Sequence, residues 1–229
     1  MSFEITSELL ANITSSIEVS NDKAIVALFE EMHYADIAEI LDELSFDNVV
    51  YIIKLLDSEK TSAVLMELDE DIREKTLQNL SAKEIAEEVE ELDSDDAADI
   101  IGELSQERQE AVLSKIEDEE HVKEIEELLA YDEDSAGGLM AKELVKVNEN
   151  WTVLKCVREM RAQAEEVTRV HSIYVVDDND KLKGRLSLKD LLITSTKTAI
   201  SEVYIPKVDF VNVHDNLDEV SNKMRKYDL

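Results

Sequence analysis

Proline occurs once in this chain and glycine four times, so the residues that punctuate sheets and tight turns are scarce. That scarcity argues for helices and against an all-β sandwich. A single cysteine, Cys156, excludes a disulfide framework and any cysteine-ligated zinc site. The four histidines, His33, His121, His171 and His214, lack the paired spacing of a zinc centre. No apolar run approaches the roughly 20 residues of a membrane-spanning helix. The opening Met1, Ser2, Phe3 and Glu4 form neither the basic nor the apolar part of a signal peptide. A soluble, cytosolic chain is expected. No serine, cysteine or histidine arrangement suggests nucleophilic catalysis, so no enzyme is expected.

Positive charge is also in short supply. Lys and Arg number 24 against 55 Asp and Glu, a net charge of −31. The imbalance is concentrated: residues 1–130 hold 37 acids and 9 bases, residues 131–229 hold 18 and 15. So acidic a first half repels nucleic acid and anionic lipid and attracts cations. Nucleic acid is therefore not an expected partner.

What is present is a repeat. Leu44, Leu56, Leu68, Leu80, Leu92, Leu104 and Ile116 stand twelve apart. Leu41, Ile53, Leu65, Leu77, Val89, Ile101 and Leu113 each stand three residues earlier. Ser45, Asp57, Asp69, Ser81, Asp93 and Ser105 follow the first six of these positions, and such residues cap helix N-termini through side-chain oxygens. Ser81 with Glu84 predicts a capping box. Twelve residues per capped unit leave helices of about two turns, too short to stand alone. They must stack as an all-α superhelix with contacts between neighbouring units. A coiled coil is excluded, because the period is neither seven nor eleven.

After Tyr131 the pattern changes. Residues 144–147 alternate like a strand, Thr152 to Ala162 reads as a helix, and His171 to Val176 as a second strand. Asp177, Asp178, Asn179 and Asp180 make a polar turn, residues 183–186 a partner strand, and a further helix begins at Ser187. Part of this order returns 64 residues on, where Leu217, Val220, Met224 and Arg225 match Val153, Cys156, Met160 and Arg161. Trp151 and Cys156 read as packing residues.

The stretch from Ala130 to Met140, with Asp134, Ser135, Ala136, Gly137 and Gly138 at its centre, resembles the junction in the MgtE magnesium transporter family between a helical N domain and a pair of CBS domains. Residues 173–177 and 182–190 resemble the first CBS domain, and Asp95, Asp96, Ala97, Ala98 and Asp99 an acidic motif of the N domain. The resemblance implies a multi-domain chain. Residues 1–130 form an acidic right-handed superhelix of short helices, 131–140 a connection, 141–200 an α/β CBS domain, and 201–229 a partial second CBS domain. It further implies a homodimer associating through CBS domains, a transmembrane pore domain absent from this chain, and a place on the cytoplasmic face of the membrane. Magnesium binding between N and CBS domains is implied to favour the closed pore.

Magnesium takes hard oxygen ligands, keeps several waters and uses one or two carboxylates per site. Asp95 and Asp99 lie one helical turn apart, with Asp96 beside them. Spacing alone equally describes a solvated acidic helix start; the resemblance turns the reading toward Mg2+. It also implies metal-binding acids at Asp218 and Asp228, with Asn216 and Ala63 standing where relatives can carry an acid. Gly184 to Asp190 fits a turn with which CBS domains can hold an adenine nucleotide such as ATP, Ser187 facing phosphate and Asp190 ribose. Two other functions follow as rivals: an adenine-nucleotide-sensing module and a helical protein-docking scaffold.

Overall fold

The structure is a computed structural model, and it describes residues 4–165, 167, 170 and 172–227. The chain divides into two compact units. The first runs up to Leu92 and includes Asp96–Glu126; the second holds Asp93–Asp95 and the chain from Glu127 onward.

The first unit is helical throughout. Its helices are α1 (Ser7–Glu18), α2 (Asp22–Phe29), α3 (Tyr34–Asp42), α4 (Phe46–Ile53), α5 (Ser58–Glu67), α6 (Glu70–Asn79), α7 (Ala82–Val89), α8 (Ser94–Gly102), α9 (Gln106–Leu113) and α10 (Glu119–Leu128). The twelve-residue reading predicts α4 to α9 one by one. Asp57 accepts from the Lys60 amide, Asp69 from the Asp71 amide, and Ser81 with Glu84 closes the capping box. Ser45 and Ser105 also occupy N-cap positions, with extended backbone and no side-chain bond. Helices α1 and α2 precede the repeat and carry no signature of it.

The earlier apolar position of each repeat pair forms the core, while the later one varies, Leu44, Leu56 and Leu92 being half-buried. Leu41, Ile53, Leu65, Leu77, Val89 and Ile101 are each at most 1% exposed, whereas Leu113, near the end of the array, is half-buried. Packing departs from simple neighbour-on-neighbour stacking. Helices α3, α5, α7 and α9 pack in one row, and α4 on α6 in another. Alternate helices thus fall in alternate rows, and the packing unit is two repeats. Arg73 reaches from α6 to Glu103 (Nε to Oε1 2.8 Å), and the pair is largely shielded from solvent.

One acid in this core is out of balance. Burial, reinforced by Glu87, Asp57, Glu91 and Glu84, pushes the Glu88 carboxyl up to about 8. Its Oε2 is buried without a hydrogen-bond partner.

The second unit contains β1 (Val145–Asn148), α11 (Val153–Gln163), β2 (Ile173–Val176), β3 (Leu182–Leu186), α12 (Leu188–Ile193), a 3-10 turn at Ile200–Glu202 and α13 (Leu217–Tyr227). The strands lie in the order β1-β2-β3, parallel between β1 and β2 and antiparallel between β2 and β3. Val145 and Val147 alternate inward, as do Ile173 and Val175, to meet Val153, Cys156, Leu186, Leu191 and Ile200. Cys156 and Trp151 pack as the sequence predicts, the first buried and the second against the core edge. The polar turn holds itself: Asp177 Oδ1 accepts from the amides of Asn179 (2.9 Å) and Lys181 (3.1 Å). Of the expected second strand, His171 lies outside the described residues.

Gly184 sits where the chain after the 3-10 turn crosses β3. Arg185 and Ile205 exchange backbone hydrogen bonds of 3.1 and 2.9 Å. A Cβ on Gly184 would stand 2.3 Å from the Ile205 carbonyl oxygen and 2.4 Å from the Tyr204 ring. Backbone cannot yield cheaply there, so Gly184→Ala is expected to lower the stability of the chain by about 1–3 kcal/mol in urea denaturation.

The Glu88 carboxyl binds its proton more tightly folded than unfolded. Its contribution to stability is fully present below pH about 4.5 and is lost as pH rises toward about 8. Glu88→Gln, which cannot ionise, is expected to be the more stable form at pH 9 by on the order of 1–2 kcal/mol, allowing for partial exposure. The two should converge near pH 5; parallel denaturation curves at both pH values measure this.

Candidate metal and nucleotide sites

Helix α8 carries Asp95, Asp96 and Asp99. Its buried side is small and apolar, with Ala97, Ala98, Ile100 and Ile101 turned inward. That fixes the remaining positions outward: Asp95 and Asp96 are half-buried in the first turn, and Asp99 is exposed one turn later. The donor set is carboxylate oxygen on a rigid helix, the chemistry a magnesium ion prefers. At the start of the same helix, the Ser94 amide and hydroxyl donate to the two oxygens of Glu143 at 2.8 and 3.0 Å. The Lys142 amide donates back to the Ser94 hydroxyl at 3.1 Å. Ser94 is fully buried, and nothing in the sequence pattern singles it out. Its partner, Glu143, is 49 residues away.

The acids expected at the C-terminal end fall differently. Asp218 is exposed in the first turn of α13, where an acid also favours the helix dipole. Asn216 uses its Oδ1 to cap that helix, accepting from the Glu219 amide at 3.0 Å. Asp228 lies outside the described residues. The start of α13 is held by the junction: the Leu217 amide donates to the Asp134 carbonyl, and the Ala136 and Gly137 amides to the carbonyls of Asp215 and Val213, each at 2.8 Å. Gly137 is required, because a Cβ there would sit 2.6 Å from the Tyr131 ring.

Ser187 and Asp190 share the turn into α12. The Ser187 hydroxyl accepts from the Asp190 amide at 3.4 Å, an N-cap, with Asp190 in the first turn. Beside this turn lies a cavity of about 360 Å³ lined by Val170, Ser172, Ile173, Arg185, Leu186, Ser187, Leu188 and Ile205. A second cavity, of about 500 Å³, shares Val170 and Ser172 with it and continues past Tyr174, Val176, Leu182, Lys146 and Asp180. Together they form a groove with an aromatic ring and aliphatic wall at one end and a guanidinium, a hydroxyl and a helix start at the other. Such a groove suits a planar base joined to phosphates. Sequence reasoning found Ser187 and Asp190 but not Tyr174 or Arg185. Both lie on the strand face turned away from the apolar core, where alternation alone would have placed them.

Among the described residues no helix is long and apolar enough to cross a membrane. Residues 32–134 match the model of the MgtE intracellular N domain, and residues 136–195 that of the CBS domain. The magnesium transporter MgtE of Thermus thermophilus is 41% identical over 99 residues, 43% of this chain and 22% of that protein. The Enterococcus faecalis magnesium transporter MgtE is 32% identical over 101 residues, again 22% of its length. Each match thus spans about a fifth of the curated relative. A solved structure of the cytosolic domain of the Mg2+ channel MgtE in complex with ATP superposes with a TM-score of 0.87 at 32% identity, covering 96% of this chain and 90% of that one. The soluble part of a magnesium transporter shares the fold at a TM-score of 0.79. This chain belongs to the MgtE family and corresponds to its cytosolic region, an N domain followed by CBS sequence.

Proposed function

We propose that this chain is the magnesium-sensing regulatory region of a magnesium transporter, and that Mg2+ bound by acids of its N domain and CBS region favours a compact, pore-closed state. The observation that carries the reading is the acidity of the first 130 residues, with 37 acids against 9 bases, in a chain whose relatives are magnesium transporters. Carboxylates brought close together repel. A divalent ion between them removes that cost and adds its own attraction. A ligand shifts a conformational equilibrium only by its differential affinity, and sites completed by both parts of the chain exist only in the compact state. Several weak sites acting together give a steep response. Asp95, Asp96 and Asp99 are the proposed N-domain ligands, with Asp218 and Asp228 on the CBS side. Asn216 offers less, because its oxygen already caps α13.

The homodimer is part of the same proposal. Leu188, Leu192 and Ile193 of α12 are 53%, 85% and 75% exposed, an apolar surface suited to a second copy of the chain. The pore domain would follow this region in the full-length protein, placing the region on the cytoplasmic face.

A second reading rests on the groove beside Ser187. Its aromatic and aliphatic end, its Arg185 and its capped helix start suit ATP, the ligand named for the similar MgtE cytosolic domain. Ser187 and Arg185 would face phosphate, Asp190 the ribose, and Tyr174 the base. Nucleotide and magnesium sensing are compatible.

X-ray scattering at matched ionic strength should give a smaller radius of gyration with magnesium than without it, and Asp95→Asn/Asp99→Asn should reduce the change. An unchanged radius in the parent chain rules the switch out. Calorimetry should detect ATP binding in magnesium-free buffer, weakened roughly tenfold or more by Asp190→Ala. No heat and no competition by other adenine nucleotides would remove the second reading.

A further inference from the structure

The packing of the helical unit is supplemented by a bond that recurs at two-repeat intervals. Lys60, Glu84 and Arg108 stand 24 residues apart, each the third helical residue after an N-cap, on α5, α7 and α9. Each reaches the C-terminal end of the helix three earlier in the chain. Lys60 Nζ donates to the carbonyls of Phe29 (2.8 Å) and Glu30 at the end of α2. Arg108 donates to the carbonyls of Leu77 (2.9 Å) and Leu80 (2.8 Å) at the end of α6. Between these two, the chemistry is inverted. Glu84 accepts from Lys54, the C-cap of α4, at 2.9 Å.

The three clasps differ in kind. Lys60 and Arg108 bring a cation to carbonyls at the negative end of a helix dipole, an interaction tied to fixed backbone. The α7–α4 clasp joins two side chains that are 39% and 37% exposed, Glu84 keeping its other oxygen on the Ser81 amide at 2.6 Å. Such a pair is weak and screened by salt. Acids crowd it: Glu84, Glu87 and Glu88 line one cavity of about 400 Å³ with Lys54 and Ser58. Asp57 and Glu91 add their charge around Glu88, and Lys83 is engaged with Glu87 at 2.8 Å.

We infer that the α4–α7 contact is a salt-sensitive joint built into the superhelix, at which the helical unit loosens first, between two clasps that hold. The sensitivity resides in the Lys54–Glu84 pair, and the flanking clasps confine it. The joint responds to ionic strength as such and so is independent of any bound magnesium.

Hydrogen exchange with mass spectrometry on the full chain, in metal-free buffer, tests this. Raising KCl from low to high concentration is expected to speed exchange at the end of α4 and the start of α7 roughly two- to fivefold. The segments joined by Lys60 and Arg108 should change less. Lys54→Met should speed exchange in α4 and α7 at low salt and abolish the salt response there. A response equal at all three clasps, a slowing at α4 and α7, or a response that persists in Lys54→Met overturns the inference. If Lys54→Met fails to fold, the parent chain's segment-by-segment comparison decides alone.

Discussion

A two-turn helix cannot hold itself together in water, and most of this molecule follows from that constraint. Each twelve-residue unit has an apolar pair to bury and a capped start, and it gains stability only from other units. Such a chain has no independent parts smaller than a stack. The requirement is met by alternate rows, in which α5 and α7 each pack against helices 24 residues away in both directions. The core this builds is almost wholly aliphatic, with Thr61, Ser62 and Thr76 the polar side chains buried beside it. Acidity is therefore compatible with the fold: the carboxylates occupy positions that packing does not need.

The same arrangement explains where the exceptions lie. Glu88 is an acid that burial catches, and its raised proton affinity follows first from that burial and then from the acids around it. Asp95, Asp96 and Asp99 stand on a helix whose buried side is Ser94 with Ala97, Ala98, Ile100 and Ile101.

Much of this was legible in the sequence. The period and the cap residues predict α4 to α9, and strand alternation predicts the three strands and their helices. The row-by-row packing was not legible, because a twelve-residue period states what each helix buries and not which helix buries it. Nor was the use of Ser94 and Glu143. Both are ordinary residues locally, and only the path of the chain brings them together over 49 positions. Tyr174 and Arg185 were missed for a related reason: a groove belongs to the outward face of a sheet, whose residues carry no pattern beyond not being core. Asn216 was legible as an oxygen donor, but not as one whose oxygen a helix N-terminus already claims.

The junction between the repeat and the CBS fold has a consequence for how the chain is made. Asp134, Ala136 and Gly137 take their hydrogen-bond partners from Leu217, Asp215 and Val213. Emerging from the ribosome, the helical unit can complete its local stack as it is synthesised. The junction that follows must wait until nearly eighty further residues exist before its backbone is satisfied. It is a contact of long sequence separation closed after the local ones. The segment Asp134–Gly137 is therefore fixed late, by chain that comes well after it.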